Sequence, residues 1–237
     1  EPEILGTGGG IANAAPWLDS DPVLIVNGDQ LFCPPLGPAV EAHRRGAYAA
    51  TLLCARDPLL AQVRLEGDRV VEIAPRPVYG DPALRAFSGV YLLSAEAVAG
   101  IRAASEVGPE PGPRRIGFAE VMPHLRRWLA EGRLGGIAFD ATPFREVGTP
   151  EAFLDLVREG REARGAGLVA LLGPHGPRGT DGGLLPAEPG VEAEPPAGVE
   201  ESVILTGAAV EPGAIVRRSL LGSGAVARGR VERVAAA

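Results

Sequence analysis

Residues Val23–Asp29 read V-L-I-V-N-G-D, and the fold turns on how this run is taken. Pro22 opens it, four aliphatic residues follow without a break, and Asn27, Gly28 and Asp29 close it. A short apolar run bounded by turn residues predicts a strand covered on both faces, as in a parallel sheet. Ligands of such sheets sit beyond the carboxyl ends of the strands. Asp29 is there a candidate oxygen ligand for a magnesium ion that itself carries phosphates. An Asn-Gly-Asp turn whose acid merely caps the next segment accounts for the same residues.

Downstream, a Pro-rich turn leads to a predicted helix over about Leu36–Arg45, closed by Gly46, and then to a strand over Ala47–Ala55. This β–α–β order calls for a right-handed crossover in a parallel sheet. His43 reads as a helix-end or packing residue, since no catalytic partner is evident beside it. Upstream, G-T-G-G-G at 6–10 reads as a loop opening into a short helix over Ile11–Leu18, with Thr7 as its cap. Glycines there let backbone amides approach a ligand closely, and plain glycine turns are also common. The spacing is neither that of a Walker A loop nor that of a dinucleotide fingerprint.

Val63–Leu65 and Val70–Ile73 flank Glu66–Gly67–Asp68, a hairpin signal. Arg76 follows in a loop between two prolines, and Ala86–Leu93 (A-F-S-G-V-Y-L-L) is a strand with Gly89 inside it. An interior glycine marks either a bulge or a place where a ligand or backbone comes close. Ser94 caps a helix to about Arg102, and residues 104–117 read as loop. Phe118–Glu131 is predicted helical, with Val121, Leu125, Trp128 and Leu129 at helical spacing and its aromatics in the core. Leu134–Phe139 returns as a strand.

A second informative stretch is Phe144–Phe153, F-R-E-V-G-T-P-E-A-F. Thr149 as N-cap, Pro150 at the first helical position and Glu151 next form a helix start. Glu146 is thereby held at a strand end beside a helix N-terminus, or is simply a solvent-facing strand residue. Residues 165–198 are Gly/Pro-rich and weakly patterned, a linker. Beyond them Gly207, Gly213 and Ser219 are six apart, as are Ala208, Ala214, Leu220 and Val226. A hexad of this kind predicts short strands stacked in a parallel β-helix, aliphatics filling its axis; a plain β-hairpin accounts for the same residues.

Composition limits the functions available. The 237 residues are 46% hydrophobic with a net charge of −7, against a general nucleic-acid surface. No apolar run is long enough to span a bilayer, and nothing reads as a signal peptide, so a cytoplasmic protein without membrane contact is the expectation. All 23 basic residues are arginine, so any lysine chemistry must lie outside these residues. Cys33 and Cys54 have neither metal-type spacing nor the look of a disulfide scaffold. The chain starts at Glu1 and runs straight into the glycine segment, as a piece of a longer protein would.

Together, L-G-T-G-G-G at 5–10, V-N-G-D at 26–29, A-F-S-G-V-Y-L-L at 86–93 and E-V-G-T-P-E at 146–151 resemble the sugar-nucleotide pyrophosphorylase family, closest to its mannose-1-phosphate guanylyltransferase-like members. The resemblance implies an α/β fold: a Rossmann-like (GT-A-type), mostly parallel sheet with flanking helices over 1–164, N-terminally truncated. The linker 165–198 and a short left-handed parallel β-helix over 199–237 complete it. It implies nucleotide contacts from Gly6, Thr7, Gly8, Gly9, Asn27 and Gly28. It further implies a sugar pocket at Gly89 with Arg76, and Mg2+ held by the catalytic carboxylates Asp29 and Glu146.

The family departures are three. Glu146 stands where an aspartate is usual, Pro75–Arg76–Pro77 replaces a Glu-Lys-Pro segment, and the G-x-G-T-R signature loop would lie upstream of Glu1. The implied reaction joins a nucleoside triphosphate to a sugar 1-phosphate, releasing pyrophosphate. Residues 1–237 alone are expected to be inactive, which pyrophosphate release from them would contradict. A non-catalytic sugar-nucleotide-binding regulatory subunit and a metal-dependent GT-A-type glycosyltransferase are the alternatives. The β-helix either supports a homo-oligomer or simply covers the sheet domain.

Overall fold

The computed structural model describes residues 3–108, 115–162, 199–200, 202–204, 209–222, 224–233 and 235–236. The linker at 165–198, with His175, and the hexad residues Gly207 and Ala208 lie outside them. The chain divides into two compact units, Glu1–Phe144 and Arg145–Ala237.

The first unit runs α1 (Gly6–Ala14), a 3-10 turn (Ala15–Trp17), β1 (Val23–Val26), β2 (Gln30–Phe32), α2 (Leu36–Gly46), β3 (Ala50–Ala55), β4 (Ala61–Glu66) and β5 (Arg69–Ile73). It continues through β6 (Leu84–Leu93), α3 (Ala95–Ser105), β7 (Glu106–Val107), β8 (Arg115–Ile116), α4 (Met122–Ala130) and β9 (Leu134–Ala138). Six strands form one sheet in the order β1-β6-β3-β9-β5-β4, and β4 also meets β6.

This corrects the expected mostly parallel sheet. Within this sheet only β3–β9 runs parallel among the described pairings; β1–β6, β3–β6, β4–β5, β4–β6 and β5–β9 are antiparallel. The cause is β6, a strand of ten residues that returns after the β4–β5 hairpin and inserts between β1 and β3. β1 and β3 still run parallel to each other, each antiparallel to β6, so the carboxyl ends of β1, β3 and β9 point the same way.

β1 is also not covered on both faces. It ends the strand order, with Val23 buried but Leu24 and Val26 40% and 57% exposed. The strand that is buried at every position is β3. Aliphatic content alone does not separate an edge strand from a central one.

Helices cover both faces of the sheet. On one, Ile11 and Ala12 of α1, Val98 and Ile101 of α3, and Leu125 and Trp128 of α4 pack with Leu52, Tyr91, Leu93 and Leu134. On the other, Ala39 of α2 joins Phe32, Leu53, Val90, Leu92 and Phe144. Each large apolar side chain so buried contributes about 1.5–3 kcal/mol. Ser94 caps α3 by accepting from the Ala97 amide at 3.1 Å. Ser94→Ala is expected to cost about 1 kcal/mol in urea unfolding, without change in any ligand affinity.

Three local expectations need correction. The glycines at 6–10 are not a loop: they are the first turns of α1, and Leu5, with no side-chain cap bond, takes the place expected of Thr7. The segment 117–120 lies against them, with Gly9 N donating to Ala119 O (3.0 Å) and Ala119 N to Leu5 O (2.8 Å). A Cβ at Gly9 would come within 2.7 Å of the Gly117 carbonyl, so glycine here serves close backbone packing. α4 accordingly begins only at Met122, and Phe118 is 65% exposed, whereas Trp128 is core as expected. The stretch read as loop over 104–117 contains the β7–β8 pair.

In the second unit α5 (Pro150–Glu162) follows β10 (Phe144–Glu146), whose first residue belongs to the first unit and sets its ring edge-on to Phe32 at 5.7 Å. Thr149 caps α5 as expected, its Oγ1 accepting from the Ala152 amide at 3.1 Å. Eight short strands follow: β11 (Val199–Glu200), β12 (Val203–Ile204), β13 (Ala209–Val210), β14 (Ile215–Arg217), β15 (Leu220–Leu221), β16 (Val226–Ala227), β17 (Arg230–Glu232) and β18 (Ala235–Ala236). They stack in parallel as β11-β14-β17, β12-β15-β18 and β13-β16.

The hexad phase is wrong in detail. Val199 pairs with Val216 and Ile215 with Arg230, steps of 17 and then 15 residues, so a strict six-residue period drifts. Ala214 is inside, but Leu220 is only half-buried and Val226 is 51% exposed. The inward aliphatics are Val216, Leu221 and Ala227.

Candidate active site

The end of β1 and the middle of β6 build one local arrangement. Val26 pairs with Val90, and the next amide, Asn27 N, donates to Gly89 O at 3.0 Å. Gly89 has φ +74, and a Cβ placed on it would lie 2.8 Å from Asn27 Nδ2 and 3.0 Å from its Cβ. Of the two sequence explanations for this glycine, the structure bears out the bulge; the close neighbour is a side chain. β3–β6 shifts register between Leu53 and Cys54, a bulge, and another side chain occupies the space glycine leaves. The bulge is tied by Ser88, whose buried hydroxyl donates to Leu53 O at 2.6 Å and accepts from Val90 N at 3.2 Å. Ser88 was not singled out in the sequence; its only signal is its place beside Gly89.

Two residues beyond Asn27, Asp29 is exposed. Its Oδ1 accepts from Gln30 Nε2 at 3.3 Å, and no cationic side chain pairs with it among the described residues. Among the described residues no three His, Cys, Asp or Glu side chains gather to hold a metal. Magnesium does not need such a cluster, since it is usually held by one or two carboxylates plus substrate phosphates and waters. A solvent-facing carboxylate without a cationic partner suits that donor set. Glu146 is likewise exposed, in the second unit, just ahead of the Thr149 cap.

The remaining candidates fall elsewhere in the first unit. Gly8 and Gly9 are buried against 117–120, while Gly6 and Thr7 are half-buried. Gly28 is exposed and has open space on its Cβ side. Arg76 is exposed in the loop between β5 and β6. Past β9, Asp140 is clamped by Arg85 through Nε (2.6 Å) and Nη2 (2.8 Å). That hydrogen-bonded guanidinium holds the Asp140 carboxyl below the usual carboxylate range.

His43 is buried near the end of α2, with Nδ1 2.9 Å from Thr51 Oγ1, a packing residue as expected. Burial lowers its pKa, opposed by Asp21 and reinforced by Arg44. The folded chain thus takes up this proton less readily than the unfolded one. Stability is full above the unfolded value near 6.5 and falls as pH drops below it. Urea unfolding between pH 7.5 and pH 5 is expected to show this loss, and His43→Gln to remove it. Cys33 and Cys54 are free thiols, and burial pushes Cys54 up to about 12, so it is inert.

A mixed sheet covered by helices on both faces, with a carboxylate just past a strand end, makes this an α/β fold. A structure from Bacillus anthracis assigned as a glucose-1-phosphate thymidylyltransferase shares it, with TM-score 0.50 and 19% identity over 68% of this chain and 62% of that one. The chain is similar in sequence to the mannose-1-phosphate guanylyltransferase of Mycobacterium tuberculosis, 32% identical over 92% of its length. It spans 62% of that relative's length. No family model matches the chain. The similarity to that guanylyltransferase thus runs over nearly the whole chain, well beyond the four motifs. No helix among the described residues is long and apolar enough to cross a membrane.

Proposed function

We propose that this chain provides the sugar-phosphate and metal side of a nucleotidyl transfer site, mannose-1-phosphate guanylyltransferase-like in its substrates. The observation that carries the reading is the contact of Asn27 with Gly89, which sets the N-G-D strand end against the strand glycine. The reaction joins an oxygen of the sugar 1-phosphate to the α-phosphorus of a nucleoside triphosphate. The bond from that phosphorus to the bridging oxygen breaks, and pyrophosphate leaves with the electron pair.

In this reading Gly89 is the floor of the sugar pocket, with Arg76 at its rim. Gly6, Thr7, Gly8, Gly9, Asn27 and Gly28 lie on the nucleotide side. Asp29 would hold Mg2+, with Glu146 as the second carboxylate on the strength of the motif resemblance alone. Bound there, magnesium would neutralise charge developing on the phosphate oxygens. The chain's own contribution is positioning, because little covalent chemistry falls to the protein in such a transfer. The parallel strands after residue 199 are proposed to be coils of a left-handed β-helix.

Calorimetric titration of the purified chain with GDP-mannose tests the reading. Affinity is expected to rise at least about tenfold when EDTA is replaced by MgCl2. Equal affinity in the two buffers, or no binding in either, would reject it.

A further inference from the structure

The residue after Asp29 carries an unusual feature. Gln30 Oε1 is a fully buried oxygen with no hydrogen-bond partner among the described residues. The other half of the same carboxamide, Nε2, donates to Asp29 Oδ1 at 3.3 Å. A buried acceptor left unpaired is costly, and leucine would fill a similar volume without that cost. Retaining glutamine there calls for a compensating use.

We propose that Gln30 is a positioning residue for the Asp29 cation site, its carboxamide turning over when the cation binds. This rests on the magnesium reading of Asp29. Without a cation, the amide N–H faces the carboxylate, which is the favourable orientation for a bare anion. With a divalent cation on Asp29, the same N–H is repelled. A half-turn of the carboxamide exchanges its oxygen and nitrogen with almost no change of shape. The turn brings a second hard oxygen toward the cation and carries the N–H group into the buried position. Magnesium and manganese both favour such oxygen donors, and amide carbonyls serve alongside carboxylates.

The test is a Mn2+ titration in the presence of GDP-mannose, following free Mn2+ by electron paramagnetic resonance, with thermal unfolding measured alongside. Wild type, Gln30→Leu, Gln30→Glu and Asp29→Asn are compared. Gln30→Leu is expected to unfold at a higher temperature without metal, because the orphan oxygen is gone. It is also expected to bind Mn2+ about tenfold more weakly, as loss of a residue that orients a ligand does. Gln30→Glu, which supplies an oxygen in either orientation, is expected to retain or exceed wild-type affinity.

A raised unfolding temperature in Gln30→Leu with unchanged Mn2+ affinity would overturn the proposal and leave Gln30 a packing residue. So would a loss of Mn2+ affinity in Gln30→Glu equal to that in Gln30→Leu. The underlying reading fails separately, when wild type and Asp29→Asn bind Mn2+ alike.

Discussion

Gly89→Ala is expected to destabilise the first unit by about 3 kcal/mol, combining a non-glycine residue at positive φ (~1–2) with overpacking (~1–3). The two contributions have separate origins. The backbone cost follows from φ +74 in the middle of β6, and the overpacking from the Asn27 side chain, 2.8–3.0 Å from where the methyl must go. Removing that side chain as well, in Asn27→Gly/Gly89→Ala, is expected to restore the second contribution and not the first. Urea midpoints of the single and double variants measure the split. Affinity for GDP-mannose is expected to fall in both, since one variant displaces the N-G-D segment and the other loosens it. Wild-type stability in Gly89→Ala would show that β6 relaxes freely there, and the interlock would lose its meaning.

The same pair of residues illustrates what the sequence made legible. V-N-G-D and A-F-S-G-V-Y-L-L were recognisable as strand-borne motifs because each is an apolar run closed or interrupted by residues with specific backbone demands. Their adjacency was not legible, since β6 pairs with β1 across more than fifty intervening residues and nothing local encodes that register. The antiparallel insertion of β6 hid for the same reason. A β–α–β run predicts that β1 and β3 are parallel, which they are, but not that another strand separates them.

Local chemistry was more faithful. Ser94 and Thr149 cap the helices assigned to them, because a cap is decided within four residues. The glycine segment failed in the opposite sense: low helix propensity argued for a loop, and close packing against 117–120 overrode it. Gln30 gave no sequence signal beyond standing next to an acid.

Asp29→Asn and Glu146→Gln carry the largest expected functional effect, and their combination is more informative than either alone. Each is expected to weaken the magnesium-dependent part of GDP-mannose binding by about 100-fold, since under the proposed reading each removes one charge from a cation held by few protein ligands. Were the two carboxylates to act at separate places, the double variant would lose about 10,000-fold, because independent effects add in free energy. Two ligands of one cation behave otherwise. Once the first is gone the cation is largely lost, and removing the second changes little, so the double variant is expected to stay near the single ones. The measurement needs only affinities in MgCl2 and in EDTA for four proteins. Additive losses would separate Glu146 from the Asp29 site, and a Glu146→Gln variant indistinguishable from wild type would leave Asp29 to act with substrate oxygens alone.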